Sequence, residues 1–392
     1  MRFQHPDGTV VHLAYGANVH PAEDFAGVLD QLTRFAEPVR QRCGVPRLGL
    51  SLWLARSVAH ELATRPPVLR RLREELGACG LEVVTLNGFP YEGFSHAEVK
   101  HRVYQPDWSQ NARADYTVDL AQVLAALLPP DAARGSVSTL PLAWRHPWFA
   151  DRARGARRHI DRVGQDLARL FEDTGRRIRV GFEPEPGCVV ETAADAAAHL
   201  AGLDPELFGV CLDTCHLAVA HDDPDVALAR FDAAGLPVVK TQASVALEAS
   251  EPRDGATREA LAGFVEPRFL HQTREAGLFK VRGTDDLDEA LGLVPGRALP
   301  GLAPWRVHFH VPLHAPVAPP LQGTHEVLRR SLTVLFGGPV CRTDHIEVET
   351  YTWNVLPAAD RPQTDDGLVA GIAAELEWMR SELTALGLKE LI

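Results

Sequence analysis

Residues 209–216 read GVCLDTCH, and this stretch decides the fold. An apolar run ends in Asp213, and His216 follows three residues later. The pattern is typical of a buried strand that carries a carboxylate and an imidazole at its end. We therefore expect Asp213 and His216 to belong to a metal or proton-transfer site that several strand ends build together.

Similar apolar runs recur along the chain, and most of them are followed by a helical pattern. Alternating strands and helices predict crossover units and a parallel sheet, and eight such units close naturally into a (β/α)8 TIM barrel. The eight predicted strands lie at about 11–20, 47–54, 81–88, 135–141, 178–182, 208–213, 236–242 and 344–353. Helices are predicted at about 21–42, 111–128, 150–175 and 365–386.

The predicted barrel is a single domain over residues 1–392, with one interruption. Residues 243–304 are too long for an ordinary connection, and residues 305–313, WRVHFHVPL, are a ninth strand candidate. We interpret about 243–325 as an insertion after strand seven, over the carboxyl-terminal mouth of the barrel. A doubly wound sheet is the structural alternative, but the chain has no GxGxxG phosphate loop near its first strand.

The composition is that of an ordinary globular protein, with 392 residues of which 45% are hydrophobic and 23% charged. The net charge of −12 argues against a nucleic-acid partner, because backbone phosphates need a basic surface. None of the six cysteines forms a CxxC pair, the amino terminus lacks a secretory signal, and no run approaches a membrane span. We expect a cytoplasmic protein with reduced thiols and no membrane insertion.

Acidic residues end three of the predicted strands: Glu183, Asp213 and Glu349. A carboxylate at such a position is costly to bury without a metal or a cationic partner. Glu185 and Glu347 lie two residues from Glu183 and Glu349, and side chains two apart share one face of a strand. For any single acid, pairing with an arginine at the rim is the simpler explanation. The convergence of three strand ends favours a shared site instead.

Histidines and a glutamine extend the candidate ligand set. His216 beside Asp213 favours a shared cation, whereas alone it is an ordinary hydrogen-bonding residue. Gln242 ends strand seven and offers an amide oxygen to a hard metal ion, or a hydrogen bond across the barrel mouth. His308 and His310 share one face of the ninth strand. They complete the site if that strand packs over the mouth, and they are merely exposed if it is an outer edge strand.

Polar residues at two further strand ends predict contacts with substrate hydroxyls or metal-bound water. They are Asn18 and His20 after strand one and Asn87 after strand three, although Asn87-Gly88 is also an ordinary turn dipeptide. The aromatic residues of the loop 89–108 either wall a pocket or fill a groove between helices. The chain has no Gly-x-Ser-x-Gly elbow and no cysteine with a histidine placed to activate it, so covalent nucleophilic catalysis is not supported.

Several of these stretches resemble a known superfamily. GVCLDTCH closely resembles the strand-six signature of the xylose-isomerase-like (sugar phosphate isomerase/epimerase) barrels, which include endonuclease IV. GFEPEPG and HIEVETY resemble the metal-glutamate segments of strands five and eight in the same superfamily. More narrowly, an ordered set of blocks is similar to the EboE-type metabolite traffic proteins over about residues 15–355. These blocks are VVTLNGFPYEGF, VKHRVYQPDW, GFEPEPGC, LDTCHLAV, KTQAS, EPRFLHQT, WRVHFHVPL and HIEVETYTW.

The resemblance implies a TIM barrel with a divalent metal ion, namely Mn, Mg, Co or Zn, and a sugar-like or polyol-like small-molecule partner. By motif, the ligands that it implies are Glu183, Asp213, Glu349 and also His216, with Glu185 as the rival of Glu183. The superfamily's strand-seven histidine is replaced by Gln242, which puts the full ligand set in question and opens a compensating role to His308 or His310.

Endonuclease IV also carries histidines on strands three and four, and here those strands end in TLNGFP and STLP. The resemblance therefore implies an incomplete version of its trinuclear zinc site, and DNA repair is not expected.

We carry three hypotheses on the function. The first is a metal-dependent isomerase or epimerase, associated with metabolite traffic or precursor biosynthesis, in which Glu183 or Glu349 is the general base. The second is a non-catalytic carrier on the same scaffold, and the third is a metal-dependent hydrolase, including an endonuclease IV-like enzyme. The predicted substrate contacts are Asn18, His20, Asn87, Glu185, His308, His310 and Glu347. A homodimer is left open.

Overall fold

The computed structural model describes residues 1–20, 22–277 and 280–391, and its centre is a closed barrel of eight parallel strands. Each strand pairs with its neighbours in sequence, and the first strand pairs with both the second and the eighth. The predicted (β/α)8 barrel with an insertion after strand seven is therefore confirmed. The barrel strands are Val10–Gly16, Leu48–Trp53, Leu81–Glu82 with Thr85–Asn87, Arg134–Thr139, Arg177–Phe182, Phe208–Asp213, Val238–Ala243 and His345–Val348.

The sixth strand shows how tightly the barrel is packed. All six residues of Phe208–Asp213 are buried, as expected for a strand that is filled from inside and covered by helices from outside. A Cβ on Gly209 would come within 2.1 Å of the carbonyl oxygen of Pro237, so only glycine fits there. The close approach of strands six and seven sets Asp213 opposite Gln242 in the parallel register.

Helices surround the barrel and fill the crossovers between strands. The longest, Ala150–Thr174, buries one stripe of small and aliphatic residues and ends at Gly175, whose φ of 67° lies in the left-handed region that glycine adopts most easily. The other crossover helices are Phe25–Gln31, continuing through Leu32–Ala36 into Glu37–Arg42, and then Arg56–Thr64, Pro66–Ala78, Asn111–Leu127, Ala193–Leu200, Thr214–Val219, Pro224–Ala233, His325–Phe336 and Asp365–Ala385.

Several predicted boundaries differ from the observed ones. Strand one stops at Gly16 and continues as the 3-10 turn Ala17–Val19, and strand eight stops at Val348 before the 3-10 turn Tyr351–Val355. Because the chain curls at these points, Asn18 and Tyr351 line the cavity at the mouth instead of extending the sheet. The third strand is broken after its second residue. The helix predicted from about residue 21 begins at Phe25, and residue 21 itself lies outside the described residues.

Residues 247–323 contain a second sheet of five antiparallel strands, which the sequence did not predict. The predicted ninth strand over 305–313 is only Trp305–Val307. It ends there because the chain leaves the ladder: the amide of Phe309 bonds the carbonyl of Val307, and the amide of Val311 bonds the carbonyl of Val245. In sheet order the strands are Val281–Thr284, Thr273–Ala276, Trp305–Val307, Leu247–Ala249 and Gln322–Gly323, and the accompanying helices are Gly255–Ala262 and Leu287–Ala290.

A short ladder joins the two ends of the described chain. Arg2–Gln4 pairs antiparallel with strand one and also with Lys389–Leu391. All six cysteines are free thiols, in agreement with the expected reduced state. Among the described residues, no helix combines the length and the apolar character needed to cross a bilayer.

Candidate metal centre and substrate cavity

Three carboxylates from three strand ends meet at the carboxyl end of the barrel: Glu183, Asp213 and Glu349. One oxygen of each lies within 4.8 Å of the others, and each residue is at most 5% exposed. Each also carries a buried oxygen without a hydrogen-bond partner, namely Oε2, Oδ2 and Oε2. Buried carboxylates with unsatisfied oxygens call for a cation, and oxygen donors suit a divalent metal ion. These residues therefore fit the metal ion that the sequence led us to expect.

The same carboxylates compete with one another for ionisation. Burial raises the pKa of Glu183 well above its ordinary value, and the charges of Glu349 and Asp213 raise it further. Burial also raises the pKa of Glu349, with Glu347 and Asp213 adding to the effect. Without a cation, the raised pKa values of Glu183 and Glu349 favour their protonated forms, so metal binding at the trio would release protons.

Asp213 is held by the start of the helix that follows strand six. Its Oδ1 caps Thr214–Val219 by accepting from the amide of His216 at 2.9 Å, and it also accepts from Ser244 Oγ at 2.8 Å. Its Oδ2 has no partner in the protein. Asp213 and His216 of the D-x-x-H motif are therefore candidate ligands, and Asp213 is also the cap of the helix. The cap fixes one oxygen of Asp213 and leaves the other free.

Two side-chain amides position Glu349. Its Oε1 accepts from Asn18 Nδ2 and from Asn87 Nδ2, each at 3.0 Å. The Oδ1 of Asn87 accepts from the amide of Phe89 at 3.0 Å, so both polar atoms of that side chain already have partners. Asn18 and Asn87 line the cavity. Because the Oδ1 of Asn18 is unpartnered, it is the atom of this pair that remains free for a substrate hydroxyl.

His310 comes from the segment that leaves the insertion sheet. Its Nδ1 donates to the carbonyl oxygen of Glu349 at 2.6 Å, which fixes the tautomer and leaves Nε2 with a lone pair. That Nε2 is buried and has no hydrogen-bond partner, and His310 forms a possible cation-binding group with Asp213 and His216. The insertion therefore brings an imidazole to the side of the carboxylate trio.

His216 and His308 face each other through Nε2 atoms that are 3.0 Å apart. The Nδ1 of His216 lies 3.0 Å from the carbonyl oxygen of Pro184, and the Nδ1 of His308 lies 2.6 Å from Gln272 Oε1, so each Nδ1 carries the proton. Burial lowers the pKa of His216 to about 4 and that of His308 well below its usual value. The two facing lone pairs repel each other unless a proton or a cation lies between them.

Glu185 lies outside the carboxylate trio, in a hydrogen-bond chain at the side of the cavity. Its Oε1 accepts from Tyr104 Oη at 2.7 Å, and Tyr104 Oη accepts from Gln272 Nε2 at 2.9 Å. Burial raises the pKa of Glu185 to about 8, although the hydrogen bond from Tyr104 opposes the shift. Of the two rival glutamates, the structure thus places Glu183 in the trio, while Glu185 groups with His216 and His308.

Two strand residues lie deeper than the cavity wall. Glu347 is fully buried two residues below Glu349 and pairs with Lys240 Nζ at 2.8 Å. Gln242 is also fully buried, and its Oε1 accepts from the thiol of Cys211 at 3.1 Å. Glu347 therefore does not make the expected substrate contact, because an inward-facing side chain on a barrel strand reaches the mouth only near the end of that strand. The amide oxygen of Gln242, expected at the metal, is occupied by the thiol.

The structure also places His20 away from the cavity. Strand one ends at Gly16 and the 3-10 turn Ala17–Val19 follows it, so the strand alternation no longer directs residue 20 to the cavity, which His20 does not line. The imidazole stacks on Phe35, with ring centroids 4.1 Å apart, and burial lowers its pKa to about 3. His20 therefore packs against Phe35 instead of lining the cavity, where the predicted substrate contact would lie.

Four residues that shape the site were missed from the sequence: Lys240, Ser244, Gln272 and Tyr351. A lysine inside the otherwise apolar strand VVKTQ was a usable signal, since burying it requires an anion. Tyr351 follows Glu349 by two residues, and its hydroxyl lies 3.5 Å from His308 Nε2. Ser244 and Gln272 carried no local signal, because their partners lie far away in the sequence.

A cavity opens above the carboxylates, and its space together with the solvent at its open mouth is about 530 Å³. Glu183, Glu185 and Glu349 line its inner end, and Phe94 and Phe269 line its outer wall. The aromatic loop 89–108 thus walls the cavity, and the insertion contributes to the opposite side.

Comparison with known proteins matches part of the barrel to a known family. Residues 53–244 match the family model of the xylose isomerase-like TIM barrel. No curated protein matches the sequence. Among solved structures, D-allulose 3-epimerase from Methylomonas sp. in complex with D-allulose is 13% identical, with 97% of this chain and 100% of that chain covered and a TM-score of 0.48.

Two further structures are similar to the same degree. D-psicose 3-epimerase with D-tagatose from Clostridium cellulolyticum H10 is 14% identical, with 95% and 99% covered and a TM-score of 0.49. A xylose isomerase-like TIM barrel protein from Mycobacterium smegmatis in complex with magnesium is 12% identical, with 95% and 98% covered and a TM-score of 0.48. The matched segment and the closed eight-stranded barrel together show a (β/α)8 TIM barrel that is similar to the xylose isomerase-like barrels.

Proposed function

We propose that this protein is a metal-dependent isomerase or epimerase acting on a small sugar-like or polyol-like molecule. The observation that carries the proposal is the trio Glu183, Asp213 and Glu349, with three unpartnered buried oxygens at the inner end of a cavity. When bound there, a divalent ion such as Mn, Mg, Co or Zn polarises a substrate carbonyl and makes the adjacent C–H bond more acidic.

The protein's own residues would move the proton, orient the carboxylates and exclude water. Glu183 and Glu349 stand on different strands and both line the cavity, so either carboxylate is placed to accept a proton from the substrate carbon. Asn18 and Asn87 hold Glu349 in one orientation. The apolar outer wall keeps bulk water away from the carbon that loses its proton. Asp213, fixed by the helix cap, acts as a ligand and not as a base.

The association with metabolite traffic or precursor biosynthesis is part of the same proposal. It is supported by the ordered motif blocks between residues 15 and 355 that are similar to the EboE-type proteins. A carrier on the same scaffold would hold such a metabolite without transforming it. The test below distinguishes the two functions.

Hydrogen exchange in heavy water tests for turnover. The purified chain is loaded with Mn²⁺, incubated with D-allulose, D-tagatose or dihydroxyacetone, and deuterium at carbon is followed by NMR. We expect exchange with at least one of these probes, and a roughly 10²–10⁴-fold slower rate in Glu349→Gln, because a general base contributes about that factor. Glu172→Gln, at an exposed position on Ala150–Thr174, is the matched control and should exchange at the wild-type rate.

Two outcomes would count against enzymatic isomerisation. Binding of a probe without exchange at carbon would favour the carrier. A chain that holds no Mn, Mg, Co or Zn by elemental analysis, and gains no probe affinity when these ions are added, would remove the metal centre on which both the isomerase and the hydrolase depend.

A further inference from the structure

The cavity has two chemically different ends. Its inner end carries the carboxylates of Glu183 and Glu349 together with the free oxygen of Asn18. Its outer wall is formed by aromatic and aliphatic side chains, among them Phe94 and Phe269. A free sugar or small polyol presents hydroxyls on all sides and would leave this outer wall without a complementary surface.

The outer wall is a hydrophobic cluster separate from the main core. It consists of Trp53, Ala55, Phe94, Val99 and Phe269, with Val103, Tyr351 and Val355 packed against them. The ring centroids of Phe94 and Phe269 lie 5.2 Å apart, those of Phe269 and Tyr351 5.0 Å apart, and those of Phe94 and Tyr351 5.7 Å apart. These are the spacings of interacting aromatic rings, and three such rings provide a ready surface for another flat apolar group.

The cluster is assembled from distant parts of the chain at the mouth. Phe94 comes from the loop 89–108, Phe269 from the insertion, and Tyr351 from the turn after strand eight. Tyr351 also lies against His310, with ring centroids 4.7 Å apart, so it marks the boundary between the apolar wall and the polar inner end. A ligand that fills the cavity therefore changes from polar to apolar along its length.

The charges of the cavity argue against ligands that carry a phosphate or carboxylate group. Among the described residues, Lys100 is the only lysine or arginine that lines the cavity. Its Nζ is already paired with the carboxylate of Asp286 and lies 3.5 Å from the carbonyl oxygen of Glu266. A phosphate or carboxylate group would thus enter without a free cationic partner while facing Glu183, Glu185 and Glu349. Outside the metal position, no interaction would compensate the free-energy cost of removing water from that anionic group.

We propose that the natural ligand is a neutral amphipathic molecule, with a vicinal hydroxyl or hydroxy-carbonyl head and an aromatic or cyclic hydrocarbon tail. The head lies at the carboxylate end, and the tail packs on the Phe94–Phe269–Tyr351 cluster. This inference rests on the proposed function for the orientation of the head, and it narrows the sugar-like or polyol-like class to molecules that carry an apolar tail.

A matched set of probes tests the tail. 3-Phenoxypropane-1,2-diol, glycerol and glycerol 1-phosphate share a vicinal diol and differ in what is attached to it. Their affinities for the full chain are measured by ligand-observed NMR titration, with Mg²⁺ and again with chelator. We expect the phenoxy diol to bind roughly tenfold to a hundredfold more tightly than either of the others, which is the usual gain from burying one aromatic side chain.

A pair of isosteric variants locates the tail. Val103 lines the cavity beside the aromatic cluster, and Val118 is equally half-buried but lies on Asn111–Leu127 away from the cavity. Val103→Thr should weaken the phenoxy diol about threefold to tenfold and leave glycerol unaffected, because a hydroxyl replaces a methyl group without a change of volume. Val118→Thr should alter neither affinity.

Three results would overturn the inference. They are equal affinities for glycerol and its phenoxy ether, tighter binding of glycerol 1-phosphate, or a phenoxy preference that Val103→Thr leaves intact. In any of these cases the cluster only anchors the loop to the barrel. Failure of the proposed function is distinguishable, because a protein without metal or carbon exchange would still show the phenoxy preference in chelator.

Discussion

The facing rings of His216 and His308 indicate a second position in the site that could bind a cation. Both Nδ1 atoms donate to oxygen acceptors, so both Nε2 atoms present lone pairs across 3.0 Å. Glu185 groups with these two nitrogens, so the position offers ligands for a cation next to the carboxylate trio. We therefore expect about two divalent ions per chain in Zn²⁺-saturated protein, and a loss of about one in His308→Gln, measured by elemental analysis after gel filtration.

His60→Gln is the matched control for this prediction. His60 is exposed on Arg56–Thr64 and pairs with Asp119 outside the candidate metal centre, so its replacement should leave the metal content unchanged. A metal content that is also unchanged in His308→Gln would show that a proton, and not a cation, bridges the two rings.

At the scale of elements, the last helix fixes the turn that follows strand eight. Glu375 on Asp365–Ala385 accepts from the amide of Leu313, from Thr350 Oγ1 and from Trp353 Nε1. One buried carboxylate thus ties the helix to the insertion and to the segment next to Glu349. Burial raises the pKa of Glu375 to about 7 in the folded protein, although these hydrogen bonds oppose the shift.

This shift predicts a pH dependence of stability. Because the folded pKa lies above the unfolded value of 4.5, the contribution of Glu375 is fully present below pH 4.5 and is lost as the pH rises through 7. The loss amounts to about 3 kcal/mol. The Glu375→Gln variant cannot ionise at this position, and its NH₂ group would face one of the three donors that now bind the carboxyl group. The variant should therefore be less stable than the wild type at pH 5. The difference should shrink toward pH 8, where the wild type has lost the contribution of the protonated carboxyl. Urea denaturation at several pH values measures both free energies of unfolding.

A neighbouring glutamate provides the comparison. Glu377 is exposed on the same helix, so Glu377→Gln should track the wild type at every pH. The other ionisable groups are common to the three proteins and cancel in the differences. A constant gap between wild type and Glu375→Gln from pH 5 to pH 8 would contradict the raised pKa.

The elements that the sequence predicted well are those whose pattern is local. The helices Asn111–Leu127 and Ala150–Thr174 fall within a residue or so of their predicted bounds, because apolar periodicity and a terminal glycine or proline define them. The five-stranded insertion sheet was missed because its strands are only two to four residues long and pair across up to about 75 residues. The prediction for His20 failed for a related reason, because a 3-10 turn ends the strand before the alternation of side chains reaches residue 20.

At the scale of the whole molecule, the D-x-x-H and E-x-E motifs predicted which strand ends would converge, since barrel topology alone brings carboxyl ends together. The sequence could not show how deep each residue lies, which is what separates Glu347 from Glu349. Nor could it show that the segment after Trp305–Val307 leaves its sheet to bring His310 to Glu349. Such placements depend on contacts between the insertion and the barrel.

The barrel holds the carboxylate trio at a cost to its own stability, and this cost makes the whole fold sensitive to metal. A ligand that binds only the folded chain stabilises it by about 2.7 kcal/mol when its free concentration is 100 times Kd. With an unfolding entropy of about 2.1 cal/mol/K per residue over 392 residues, that free energy corresponds to a rise in Tm of about 3 °C. We expect scanning calorimetry to show a rise of this size when Mn²⁺ or Zn²⁺ replaces chelator.

The metal-dependent rise in Tm should depend on the trio and not on surface acids. Glu172→Gln should keep it in full, because that carboxylate is exposed and far from the mouth. Glu349→Gln should lose most of it, and its chelator-treated form should melt at or above the chelator-treated wild type, because the amide removes the free-energy cost of burying an ionisable group whose pKa is raised on folding. Equal Tm values with metal and with chelator in the wild type would mean that the trio stays protonated in the folded chain and holds no metal ion.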